Sequence, residues 1–189
     1  PAPRLARGFA PRPAAARTAQ ASAVRTAGRR RWHRDRAALN LVAASQIEVD
    51  TYAAASGEIV INRVNSMTHL GKSLLISEAL SGVLFESNMM RLSLSAFVSG
   101  EIVAHYLGSD IGRARLIKDA KWAVNQASIN QQDVRRTPVP LMPLAEQNAI
   151  SQILSEQLKA AAEQESAITH SLHQSTAQRQ NLLRAAFAG

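Results

Sequence analysis

Pro138-Val139-Pro140-Leu141-Met142-Pro143-Leu144-Ala145-Glu146-Gln147 divides this chain into two kinds of sequence. Each proline fixes its own backbone torsion and restricts the residue before it, so Pro138 to Pro140 is extended. Downstream of Pro143 there is no further proline, and no glycine before Gly189. Leu144, Gln147, Ser151, Leu154, Leu158, Ala161, Glu165, Ile168, Leu172, Ser175, Arg179, Leu182 and Ala186 recur there at alternating steps of three and four. That is a heptad seam, with Leu154, Leu158, Ile168, Leu172 and Leu182 as its large apolar positions. Eight of its thirteen positions are apolar, and Gln147, Ser151, Glu165, Ser175 and Arg179 interrupt it. A seam this polar is weak as an isolated dimer and suits a second helix or a partner protein. At 1.5 Å per residue the helix runs ~65 Å, longer than a ~110-residue head is wide. A helix folded back on its own domain is therefore the poorer account.

Upstream, the pattern changes to short strands and helices. Ile47 and Val49 alternate with Glu48 and Asp50 and predict a half-buried strand. After the Ser56-Gly57 turn, Glu58 to Val64 is a β-branched run that predicts a strand. Leu74 to Ile76, Val83 to Phe85 and Met89 to Leu94 predict three more. Over Ser95 to Leu107 the period becomes helical, with Val98, Ile102 and Tyr106 in one line and Gly108 as the stop. Asp110 is placed to cap a further helix carrying Arg113, Arg115, Lys118 and Lys121, with Arg115, Lys118 and Trp122 near one face. The fold class is α+β: a small mixed domain over 37–142, followed by a long coiled-coil-type helix over 143–189.

The net charge of +8 is unevenly placed. Residues 1–36 carry ten arginines against the single acid Asp35, whereas 37–189 carry twelve basic and thirteen acidic side chains. The body is near neutral and the high pI belongs to the leader. Rich in Arg, Ala and Pro, with only Leu5, Phe9, Val24 and Trp32 as large apolar residues, the leader is expected to be disordered. A phosphate-gripping arm, an organellar transit peptide, and a solvated tail or residues foreign to the native domain compete for it, the last being preferred. The chain lacks an initiating Met, which fits a fragment or an unusual start. Without cysteine there is no disulfide framework or thiolate metal site. No run approaches the ~18 apolar residues of a membrane helix, so the expectation is a soluble, cytoplasmic protein without membrane contact.

Catalytic chemistry is hard to find. Leu70-Gly71-Lys72-Ser73 suggests a phosphate loop, but the required glycine five residues before Gly71 is Ser66. His33, His69, His105, His170 and His173 are scattered; His170 and His173 share a helix face without further ligands, so no metal site is expected. What remains is a polar stretch in which Arg63, Asn65, Ser66, Thr68, His69 and Lys72 follow a strand within ten residues. Arg and Asn read guanine and adenine edges bidentately, while Ser, Thr and Lys suit phosphates. An ordinary hydrophilic loop would look the same, and on these residues alone it is the preferred reading. If the loop does not read DNA, Arg113, Arg115 and Lys118 are the next basic group in line.

The order Gly57-Glu58-Ile59-Val60, Arg63, Asn65-Ser66, Gly71-Lys72, Phe85-Glu86-Ser87-Asn88, Ser128-Ile129-Asn130 and Pro140-Leu141-Met142-Pro143-Leu144-Ala145-Glu146-Gln147 resembles the specificity subunit of type I restriction–modification systems. Leu183-Arg184-Ala185-Ala186-Phe187-Ala188-Gly189 looks like the segment that closes that family's conserved helix. The resemblance spans roughly residues 38–189, and Met142 stands where the family usually has proline. It implies a target-recognition domain reading one half of a split double-stranded DNA site, and a helix that pairs with a second as a spacer. It also implies docking of methyltransferase (modification) subunits, which supply the S-adenosylmethionine chemistry, and of a restriction subunit. This chain would then be non-catalytic and hold no cofactor. Arg63, Asn65, Ser66, Lys72, Arg113, Arg115 and Lys118 would be its DNA-binding residues. Family members carry two recognition units and this chain carries one, so it is expected to be a truncated or degenerate fragment, or a half-subunit that dimerises through its C-terminal helix. A helix-mediated assembly protein without DNA readout is the rival from another class. The recognition portion of a single-chain restriction–methylation enzyme is the third.

Overall fold

The computed structural model describes residues 4–7, 19–24, 39–123 and 125–187. The chain forms two units, Pro1–Gln147 and Asn148–Gly189. In the first, β1 (Arg4–Arg7), β2 (Ala19–Val24), β3 (Asn40–Ala44) and α1 (Gln46–Tyr52) precede β4 (Ala53–Ala54), β5 (Ile59–Asn62), β6 (Val64–Asn65) and β7 (Ser73–Leu75). A 3-10 turn at Glu78–Leu80 leads to β8 (Val83–Phe85) and β9 (Met89–Ser93). Then come α2 (Gly100–Gly108), α3 (Asp110–Leu116), β10 (Lys121–Ala123), β11 (Gln126–Ser128) and α4 (Gln131–Arg136). The long helix α5 (Leu144–Phe187) begins in this unit and makes up nearly all of the second. A mixed α+β domain followed by a long helix is thus the observed class.

The strand β5 explains the domain. All four of its residues are buried, and in a strand successive side chains point to opposite faces. Ile59 and Ile61 enter one core with Met90, Leu92, Val103, Leu107 and Leu116. Val60 enters another with Leu74, Phe85 and Met89. A strand covered on both faces carries a continuous apolar run, which Ile59-Val60-Ile61 supplies. It pairs antiparallel with β7 on one side and β9 on the other, in the order β1-β9-β5-β7. A second sheet runs β3-β2-β8-β4 and a third β10-β11-β6.

Four expectations are corrected. Residues 47–50 are helix, because Ser45 and Glu48 form a capping box: Ser45 Oγ accepts from the Glu48 amide at 3.3 Å, and Glu48 Oε2 accepts from the Ser45 amide at 2.8 Å. The helix expected from Ser95 starts at Gly100, since Ser99 is its N-cap. The next helix is capped by Ser109 rather than Asp110, through Gly112 N–H donating to Ser109 Oγ at 3.1 Å. It also ends at Leu116, so Lys118 and Lys121 lie beyond it and Trp122 is a strand residue. Within the leader, expected to be disordered, the structure has β1 on β9 and β2 between β3 and β8. Strand pairing satisfies backbone N–H and C=O groups whatever the side chains are, so a count of apolar residues does not bar it. The rest of that leader lies outside the described residues.

Among the elements that went unread in the sequence are a hairpin and a helix. The β10–β11 hairpin turns through Asn125, whose φ of 97° is one that Asn tolerates better than most residues. The helix α4 starts from a second capping box, Asn130 with Asp133.

Candidate nucleic-acid interface

At Arg63 the chain leaves the central sheet. Arg63 and Val64 N–H both donate to Asn88 O, at 2.8 and 3.2 Å. Val64–Asn65 then pairs with β11. Ser66 to Lys72 makes a tight turn and returns beside its origin: Gly71 N–H donates to Asn62 O and Asn62 N–H to Lys72 O, both at 2.8 Å. Inside the turn, Ser66 O accepts from His69 and Leu70 N–H, each at 2.9 Å. Leu70 is fully buried and anchors it in the core, while Ser66 and Thr68 are exposed.

The polar side chains of this turn form a local network. Ser66 Oγ lies 2.9 Å from Thr68 Oγ1 and 3.1 Å from His69 Nδ1, and Thr68 Oγ1 lies 2.9 Å from the same nitrogen. Asn65 Oδ1 accepts from Ser66 N–H at 2.8 Å, and Arg63 Nε donates to Ser87 O at 3.3 Å. Desolvation first, then the charges of Lys72 and Arg113, hold the His69 imidazole below its ordinary pKa of 6.5.

Of the seven sequence-derived candidates, Arg63, Asn65, Ser66 and Lys72 share this strand end and turn. Arg113 joins them from α3, its Nε donating to Leu70 O at 3.0 Å and a terminal nitrogen to Met67 O. Arg115 is exposed and turned toward α2, one guanidinium nitrogen donating to Tyr106 Oη at 3.1 Å. Lys118 is exposed in the turn after α3. A residue that sequence reasoning placed on a helix, Trp122, is instead 69% exposed on the edge strand β10. The register puts Asn65, Ala127 and Trp122 in one row across the small sheet. The signal for that hairpin was present in Trp122 to Ser128, with Asn125 at a turn.

The Gln147 side chain, a seam position in the heptad reading, is 1% exposed in the first unit. Its Oε1 accepts from Ser99 N–H at 2.8 Å, and its Nε2 donates to Met142 O at 2.7 Å and Phe97 O at 3.2 Å. It ties the first turn of α5 and the proline-rich entry to the N-terminus of α2. Farther along α5, Leu154 is half-buried. Leu158, Ile168, Leu172 and Leu182 are 53%, 62%, 63% and 73% exposed.

Among the described residues, no group of three or more His, Cys, Asp or Glu could hold a metal ion. No helix among them is long and apolar enough to cross a membrane.

No protein-family model matches the chain. It is 31% identical over 112 residues to a Methanocaldococcus jannaschii protein described as "Putative type I restriction enzyme MjaX specificity subunit". The match covers 59% of this chain and 26% of that relative, so the chain spans about a quarter of its length.

Proposed function

We propose that this chain is a DNA-recognition portion of a type I restriction–modification specificity subunit. It reads one half-site of double-stranded DNA and docks methyltransferase and restriction subunits. It performs no catalysis and needs no cofactor of its own, and it works in the cytoplasm. The likeness to the archaeal specificity subunit supports the family. The observation that carries the readout is β6 with the turn after it, which present Asn65, Ser66 and Thr68 between Arg63 and Lys72 on a base closed by main-chain hydrogen bonds. A rigid turn of this kind orients base-reading groups at little entropic cost on binding.

In this reading Arg63 and Asn65 contact base edges, and Ser66 and Lys72 contact phosphates. Arg115 and Lys118 add phosphate contacts from beyond the turn. The test belongs in the complex assembled with a methyltransferase subunit. Arg63→Ala should cost about 1–3 kcal/mol and relax preference at one base pair. Lys72→Ala should weaken all sequences alike and flatten the salt slope by about one unit. Equal, sequence-independent losses from both would reduce the turn to a general phosphate contact.

A second reading rests on the exposure of Leu158, Ile168, Leu172 and Leu182 along α5. In it the chain is an assembly protein, docking methyltransferase subunits through the helix without reading DNA. Helix-dependent co-purification together with sequence-indifferent DNA binding would favour it.

A further inference from the structure

We infer that Arg113 is a positioning residue for DNA readout: it clamps the Ser66–Lys72 turn from α3 and does not itself contact DNA. The inference rests on the recognition reading above and assigns the device that sets the turn's geometry.

Two of the three guanidinium nitrogens of Arg113, Nε and Nη2, donate to main-chain carbonyls of the turn, Leu70 O and Met67 O. A planar guanidinium that bridges two carbonyls three residues apart fixes their separation. A lysine ammonium supplies the charge but not that fork. The backbone approach is equally specific. Gly71 has φ +74°, and a Cβ there would stand 2.6 Å from Ile117 Cγ2 and 3.3 Å from Leu116 Cδ2. The turn therefore lies against the end of α3 at a distance that only glycine allows. Leu70 and Leu116 are both buried in the same core. On the other side, a Cβ at Gly112 would collide with Tyr106 O, so α3 is held just as closely to α2. Turn, α3 and α2 are thereby one packed body, and the exposed Ser66 and Thr68 take their orientation from it.

A phosphate contact and a clamp predict different behaviour. Arg113→Lys keeps the charge, so a phosphate contact would survive it. A clamp would not, and the polar groups of the turn would lose their fixed aim.

The experiment uses the full chain with its methyltransferase partner and a randomised duplex DNA pool, followed by titrations of selected and unselected duplexes. Arg113→Lys and Arg113→Gln should each lower discrimination between them by about tenfold. Affinity for unselected duplex and its salt slope should stay at the wild-type values. Hydrogen exchange at the His69 and Leu70 amides, measured without DNA, should quicken in both variants while the global melting midpoint of Arg113→Lys is kept. Full discrimination by Arg113→Lys would overturn the inference. So would a salt slope that falls by about one unit in Arg113→Gln with turn exchange unchanged, since Arg113 would then be a phosphate contact. Absence of any base preference in the wild-type complex would overturn the recognition reading itself, and this inference with it.

Discussion

Three residues carry consequences out of proportion to their size. Gly71 combines a left-handed φ with close approach to Ile117 and Leu116. Gly71→Ala adds both torsional strain and a clash, and should lower stability by about 2 kcal/mol, read as a shift in the urea midpoint. Gly57 has a similar φ of +84° but no atom within 4 Å of an added Cβ. The same substitution there should cost only the torsional part. Gln147 is the polar counterpart. Truncating it leaves Ser99 N–H, Phe97 O and Met142 O without their partner at a part-buried site, so Gln147→Ala should cost about 1–3 kcal/mol. Gln147→Glu should be worse, because two carbonyl groups would then face a carboxylate in place of a donor.

His69 adds a pH dependence whose sign follows from its lowered pKa. Below 6.5 the unfolded chain binds the proton more readily than the folded one, so this group's contribution falls as pH drops through that window and is complete above it. Urea midpoints at about pH 5 and about pH 7.5 should differ less in His69→Gln than in the wild type. An unchanged difference would mean that other groups set the dependence.

At the scale of elements, the legible parts were those with a strong local signal. The run Ile59-Val60-Ile61 and the proline-free heptads from Leu144 announced a strand and a long helix, and both are present. Apolar alternation misled at Ile47 and Val49, where a capping box outweighs a four-residue pattern and Ile47 is left 78% exposed. The helix α4 was invisible to apolar periodicity because Val134 is its one buried residue; its signal was Asn130 and Asp133 three apart. The polar turn was legible as a cluster of residue types. Its clamp was not, since Arg113 reaches it from more than forty positions away, through a packing of α3 that no local spacing encodes.

The helix α5 yields its own prediction. Its later seam residues are exposed, and a charge buried in a helix–helix contact without a partner is costly. Ile168→Asp should therefore weaken self-association or binding to a methyltransferase subunit while the melting midpoint of the α+β unit stays in place. Sedimentation and co-purification both indistinguishable from wild type would remove the seam from the account.

At the scale of the whole molecule, charge is unevenly divided along the chain. The basic excess sits in residues 1–36, while 37–189 are nearly balanced. The recognition reading therefore asks for affinity from a few aimed contacts on the α+β unit rather than from a general positive field. The most direct measurement is the affinity of the chain, assembled with a methyltransferase subunit, for its best selected duplex against a scrambled duplex of equal length and composition, over a series of salt concentrations. The account predicts a preference of about a thousandfold or more that persists as salt rises, because base contacts release few counterions. Equal affinities for the two duplexes, falling together with salt, would contradict it.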